Sequence, residues 1–263
     1  MKDQEMLQLK GIYLAPYMQI ATALIGKRRH SGGNMFRHQL DTMSILIDYG
    51  YIDSVLLKAA VIHDVIEDIP DFNRNLILEI DSESGLVYDL VLEVSKKEGQ
   101  TKSEFLRGII EHGSMRAKTL KCADRISNMI SMGFVTNPSF IERYCDETEF
   151  FIFPLALEVD FRMYQELIEL VMTRRKYLED SGYLDRKKEA MDAVRDHFMQ
   201  SEKATAYMDF DGYRVEFPQW WFNIRPSNTE PYLRFLCEAT SKELLDEKVA
   251  AVRKILKEQF QAE

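Results

Sequence analysis

Cysteine is scarce in this 263-residue chain, which has three, at Cys122, Cys145 and Cys237. An odd count at wide spacing supports neither a disulfide framework nor a Cys-x-x-Cys site, and it fits reduced thiols in a cytoplasmic protein. Long apolar runs are also missing. No stretch approaches the roughly 20 residues that a membrane-spanning helix needs, and the opening MKDQEMLQLKG lacks the apolar core of a secretory signal. There is no basic excess. Lys and Arg number 34 against 43 Asp and Glu, a net charge of −9 that argues against DNA or RNA as a partner. Internal repeats and low-complexity tracts are absent as well.

What remains is ordinary for a globular protein, with 46% hydrophobic and 29% charged residues. The length suits one or two domains. The first 200 residues read as mostly helical. Ser54 to Val65, Asp160 to Glu179 and Asp185 to Gln200 place apolar residues at helical spacing opposite charged faces. After about residue 203 the texture changes. Ala204 to Asp209, Tyr213 to Phe217, Trp221 to Ile224 and Tyr232 to Glu238 are short and rich in aromatic and β-branched residues, with Asp211-Gly212 as a hairpin signal. An amphipathic helix over Ser241 to Phe260 follows. The expected fold is mainly α: a helical bundle over 1–200, then a small α+β domain over 203–263 with an antiparallel sheet and one or two helices.

The densest chemical signal is His63-Asp64-Val65-Ile66-Glu67-Asp68, at the end of the apolar stretch Leu56 to Ile62. On a helix, His63 and Glu67 are one turn apart, and so are Asp64 and Asp68. A histidine and three carboxylates ending a core helix are costly unless a cation or a pocket compensates. His38 lies 25 residues before His63, and Asp124 lies 60 residues after Asp64. Two His and two Asp make a mixed N/O set suited to Mn, Fe or Zn. Asn128 shares the helix face of Asp124. Taken singly, each of these residues also reads as a solvated helix end, as do His30, His112 and His197, and Asp41 reads as part of a solvated face.

The ordered set H…HD…D resembles the HD phosphohydrolase superfamily. The longer text HDVIED, KCADRISNM and DETEFFIFPLA is similar to the hydrolase domain of the RelA/SpoT family and its small alarmone hydrolases, over about residues 15–165. That resemblance implies an all-helical bundle that binds manganese and removes the 3′-diphosphate of guanosine tetra- and pentaphosphate. It implies His38, His63, Asp64 and Asp124 as metal ligands and Glu67 and Asp68 as the catalytic pair. Arg29, His30, Asn128 and Ser131 fall at substrate-binding positions. The pattern departs from the family in that shell. Arg-Lys reads Arg29-His30, Pro-Tyr reads Asn34-Met35, His-Pro reads His38-Gln39, and Arg-Thr reads Ile130-Ser131. Lys96, Lys97, Lys102, Arg107, Arg116 and Lys118 are candidates for a basic rim around an anionic nucleotide, or for a solvated face.

In the tail, Trp221 to Pro231 joins two apolar strands through a polar loop. Arg225 can fork onto a phosphate, and a tight turn offers backbone N–H groups. DGYRVEF followed by WWFNIRPSNTEPYLRFLCEA and a helix resembles the C-terminal domain of the α-D-phosphohexomutases. That likeness implies Arg225, Ser227, Asn228 and Thr229 as a phosphate loop for a sugar phosphate. The mutase's phosphoserine and magnesium loops have no counterpart, so mutase activity is not expected. The expected function is metal-dependent release of pyrophosphate from an alarmone-type nucleotide, with a phosphate-bearing ligand on the tail. The alternatives are an HD phosphohydrolase acting on another phosphorylated metabolite and a non-catalytic sensor. A homo-oligomer is left open.

Overall fold

The computed structural model describes residues 3–29, 33–181, 183–210, 212–226 and 233–260. Two compact units emerge: Met1–Thr136 with Glu147–Thr173, and Asn137–Asp146 with Arg174–Glu263. The first is helical throughout. It contains α1 (Asp3–Lys10), α2 (Ala15–Ala21), α3 (Met35–Asp48), α4 (Ser54–Ile62), α5 (Val65–Asp68), α6 (Asn75–Leu78), α7 (Ser84–Val94), α8 (Lys102–His112) and α9 (Met115–Ser131). Helix α10 (Pro138–Glu147) lies almost wholly in the second unit. A π-helical turn (Thr148–Ile152) and α11 (Phe153–Val159) return to the first, followed by the long α12 (Phe161–Asp180).

Helix starts follow their side chains. The Asn34 carboxamide accepts from the Arg37 N–H, Asp53 accepts from the Leu56 N–H, and Ser114 accepts from the Ala117 N–H. Thr101 and Glu104 close a reciprocal capping box. At the centre is α4, whose residues from Val55 to Ile62 are all buried. A helix that is apolar on every side belongs in a core, and α4 is flanked by α2, α3, α7 and α9. Its single charge, Lys58, is 4% exposed and sits 2.8 Å from Asp81 and 2.6 Å from Glu83.

The second unit carries α13 (Tyr183–Ser201), then β1 (Ala206–Met208), β2 (Tyr213–Glu216), β3 (Trp220–Pro226) and β4 (Leu233–Ala239), and closes with α14 (Lys242–Phe260). The sheet is antiparallel in the order β1-β2-β3-β4, with Val215 opposite Phe222 and Phe222 opposite Cys237. Alternation along β3 buries Trp220, Phe222 and Ile224. That face packs against Met191, Val194 and Phe198 of α13 and Val252 and Ile255 of α14. Phe217 stacks on Trp220 at 4.7 Å between centroids, and Trp220 Nε1 donates to Glu202. Gly212 has a φ of +110°, and a Cβ there would lie 2.4 Å from Arg225 Cβ, so the turn before β2 accepts only glycine. Among the described residues, no helix is long and apolar enough to cross a membrane.

The Lys58 cluster gives a stability prediction. Burial raises the Asp81 pKa, but the Lys58 ammonium and the Glu83 N–H outweigh it and hold the carboxyl below 3.8. The Lys58 hydrogen bond, with one from Ser54, holds Glu83 below 4.5. Both folded values are depressed, so this contribution is present above pH 4.5 and is lost as pH falls through the folded values. Lys58→Ala should cost about 2 kcal/mol, less than a wholly buried pair, because both carboxylates keep contact with water. Urea melts at pH 7 and pH 3 would show the gap between variant and wild type narrowing in acid.

Candidate functional site

The site begins where the core helix ends. Helix α4 ends at Ile62, His63 caps it, and Asp64 opens the single turn of α5. Reading His63 to Asp68 as one uninterrupted helix is therefore corrected. The cause is local. The His63 ring donates from Nδ1 to the Ala60 carbonyl at 2.8 Å, and the Asp64 N–H points to Gln39 Oε1 at 3.4 Å. The turn between Asp64 and Asp68 survives through the Asp68 N–H bond to the Asp64 carbonyl, at 2.9 Å.

The break aims His63 Nε2 at residues from two other helices. From α3, His38 places its Nε2 3.0 Å from Asp124 Oδ1 and 3.6 Å from Asp64 Oδ2. His63 Nε2 lies 3.3 Å from Asp64 Oδ2 and 3.8 Å from Asp124 Oδ1. Ligand atoms of His38, His63 and Asp124 all fall within 4.8 Å of one another. Each imidazole is oriented from behind, His38 by Ser127 Oγ at 2.8 Å and His63 by the Ala60 carbonyl. Both therefore turn Nε2 inward, as ligating histidines do. Among the described residues, the buried His63 Nε2 has no hydrogen-bond partner. A divalent cation would satisfy it, and the two-nitrogen, two-carboxylate set fits a transition metal.

Charge follows the same geometry. Burial raises the Asp124 pKa, but Lys121, 2.7 Å from Oδ2, and the two imidazoles hold the carboxyl well below its usual range. Burial drives His38 toward the neutral form. It acts the same way on His63, where Asp64 and Asp124 outweigh it and lift the pKa to about 9. The cluster thus already attracts positive charge.

Glu67 is exposed on α5, and its Oε2 accepts the Lys96 N–H at 3.0 Å. Asp68 is held by Lys27, whose ammonium meets both its carbonyl and its carboxylate. Arg29 donates to Asn128 Oδ1 at 2.5 Å and to Ser131 Oγ at 3.1 Å, and Asn128 Nδ2 donates to Asp124 Oδ1 at 2.6 Å. These bonds link the expected substrate side chains to the Asp124 carboxylate. A recess lined by Arg29, Asn34, Arg37, Ser131 and Phe134 opens beside them. Of the basic rim, Arg116 pairs with Asp53, Lys118 with Glu158 and Lys102 with Glu147. His30 lies outside the described residues, as do Ser227, Asn228 and Thr229. Arg225 is on β3, opposite Arg234 of β4.

Sequence reasoning gave no role to Gln39, Ser127 or Lys121, which touch Asp64, His38 and Asp124. It also passed over Arg125, 1% exposed, which donates to Thr148 and pairs with Glu147. The available signal was a run of polar residues inside otherwise buried helix faces.

Comparison with known proteins divides along the chain. Residues 182–255 match the family model of the phosphoglucomutase/phosphomannomutase C-terminal domain. The phosphomannomutase of Methanocaldococcus jannaschii is 34% identical over 108 residues, 41% of this chain and 18% of that protein. An Escherichia coli phosphomannomutase is 36% identical over 94 residues, 35% of this chain and 21% of its own length. A probable phosphoglucosamine mutase of Pyrococcus furiosus is 35% identical over 72 residues, 27% and 16% of the two chains. The chain thus spans about a fifth or less of these relatives. A solved structure described as a metazoan ortholog of SpoT that hydrolyzes ppGpp is 22% identical, with a TM-score of 0.49, and the match covers 66% of this chain and 97% of that one. The chain joins a helical unit that gathers His38, His63 and Asp124 to a segment, residues 182–255, similar to the phosphoglucomutase/phosphomannomutase C-terminal domain.

Ser127→Ala removes the group behind His38. It should leave the helical unit folded and weaken uptake of a divalent transition-metal cation about 10- to 100-fold, as read by calorimetric titration beside a thermal melt.

Proposed function

We propose that this protein is a divalent-metal-dependent nucleotide pyrophosphohydrolase of the alarmone-hydrolase type, carrying a phosphate-binding C-terminal domain. The observation that carries the reading is the convergence of His38, His63, Asp64 and Asp124, from three helical regions of the sequence, on one cluster. These four would hold the cation, with Mn2+ as the proposed metal. When bound, it would supply Lewis-acid activation of water and neutralise charge on the attacked phosphoryl group.

The chain's own residues do the rest. Glu67, exposed one turn beyond Asp64, accepts a proton from the attacking water. Asp68, fixed by Lys27, holds the acidic turn in place. Arg29, Asn128 and Ser131 bind the nucleoside side of the substrate, next to the recess. Water oxygen bonds to phosphorus, the bond to the 3′ oxygen breaks, and that oxygen takes a proton. The products are pyrophosphate and a nucleotide with a free 3′-hydroxyl. We assign hydrolysis to residues 1–200. Residues 203–263 bind a sugar phosphate or a related anion through Arg225, Ser227, Asn228 and Thr229. Cys122 and Cys145 are buried and Cys237 is half-buried, and burial pushes Cys122 up to about 12 and raises Cys237. Unreactive thiols of this kind support a reducing, cytoplasmic setting.

Purified protein with Mn2+ should release pyrophosphate from guanosine tetraphosphate, and His63→Ala or Asp64→Ala should abolish release. Glu67→Gln should lower kcat about 10²- to 10⁴-fold with metal affinity retained. Absence of release by wild type with Mn2+, Mg2+, Fe2+ and Zn2+ would remove that substrate. In calorimetry with hexose phosphates, Arg225→Ala should weaken binding about 10- to 100-fold, the loss of a charged hydrogen bond. Equal binding by wild type and variant would remove the loop from the site.

A further inference from the structure

Gln39 follows His38 on α3 and is fully buried, with 0% exposure. A buried carboxamide is costly unless its donor and acceptor are both used. Here both turn to one residue. Gln39 Nε2 donates to Asp64 Oδ2 at 2.8 Å, and the Asp64 N–H points back to Gln39 Oε1 at 3.4 Å. Chemistry fixes the orientation of the amide. Turned over, it would set oxygen against a carboxylate and NH2 against an N–H.

The oxygen so held is the one that faces the histidines, 3.3 Å from His63 Nε2 and 3.6 Å from His38 Nε2. Asp64 has little else to fix it. It stands at the break between α4 and α5, its side chain makes no capping bond to α5, and it is 25% exposed. The neighbouring residue on α3 serves the other carboxylate, since His38 meets Asp124 at 3.0 Å. Two consecutive side chains of one helix thus reach both acidic members of the cluster, with Gln39 bonded to Asp64 and His38 nearest Asp124.

We infer that Gln39 is a positioning residue, which sets the Asp64 carboxylate toward His38 and His63 and so raises the site's affinity for a divalent cation. The inference rests on the metal reading of the cluster. Hydrogen bonds that orient ligands are typically worth about 10- to 100-fold in metal affinity.

The test is a Co2+ titration of the full chain, followed by visible absorption, with Mn2+ affinity taken from competition. Gln39→Leu should bind 10- to 100-fold more weakly and with an altered Co2+ spectrum. Gln39→Glu keeps the size and the acceptor but replaces the donor with a second carboxylate oxygen. It should lose at least as much at pH 7. In an Asp64→Ala background, adding Gln39→Leu should cost nothing further, because the partner is gone. Wild-type affinity and spectrum in either Gln39 variant would overturn the inference, as would an undiminished loss in the Asp64→Ala background. If circular dichroism shows Gln39→Leu unfolded, Gln39→Glu decides alone. A wild type that takes up neither Co2+ nor Mn2+ overturns the metal reading itself. Wild-type uptake with unaffected Gln39 variants overturns only the positioning role.

Discussion

A carboxylate 6% exposed, as Asp124 is, cannot be left to itself. An isolated charge in a protein interior is costly enough that the surroundings must supply partners or the group gives up its charge. Asp124 keeps its charge because several elements converge on it. Lys121 approaches one oxygen from a turn earlier on α9, Asn128 donates to the other from a turn later, and His38 and His63 arrive from α3 and from the end of α4. The packing of α3 and α4 against α9 and the assembly of the site are therefore one event. Apolar burial around α4 brings the histidines to their places, and the buried charge makes alternative registers of those helices costly.

Legibility in the sequence followed the range of the interactions. Helices α4, α12 and α13 and the four strands were readable because their periodicity is local, and α4 announced itself as an apolar stretch interrupted only by Lys58. The ordered histidines and aspartates were readable as a motif. The break at His63–Asp64 was not, because it depends on a side chain taking the Ala60 carbonyl and on a glutamine from another helix. Gln39, Ser127 and Arg125 were silent for a similar reason. Each matters through a partner 23 or more residues away, and nothing local marks the pairing.

The tail shows the complementary case. The change in composition near residue 203 marks where strands begin. Helix α13 packs on the sheet all the same, because Met191, Val194 and Phe198 form a stripe at helical spacing that the aromatic face of β3 covers. A compositional boundary and a packing boundary answer different physical questions. One asks which backbone conformation is favoured, and the other asks where an apolar face finds its cover.

Helix α9 carries Lys121, Asp124, Asn128 and Ser131 at intervals of three and four residues, so they form one stripe along a rigid rod. From Asp124 to Ser131 is seven residues, or about 10 Å at 1.5 Å per residue. A straight helix holds such a spacing almost without variation, so under the proposed function α9 acts as a ruler with the metal end at Asp124 and the nucleotide end two turns away. Exchanging the residue at position 131 would change the partner offered to Arg29 at the far mark and leave Asp124 where it stands. A bundle built this way can vary one end of the stripe while the buried acidic cluster at the other end stays put.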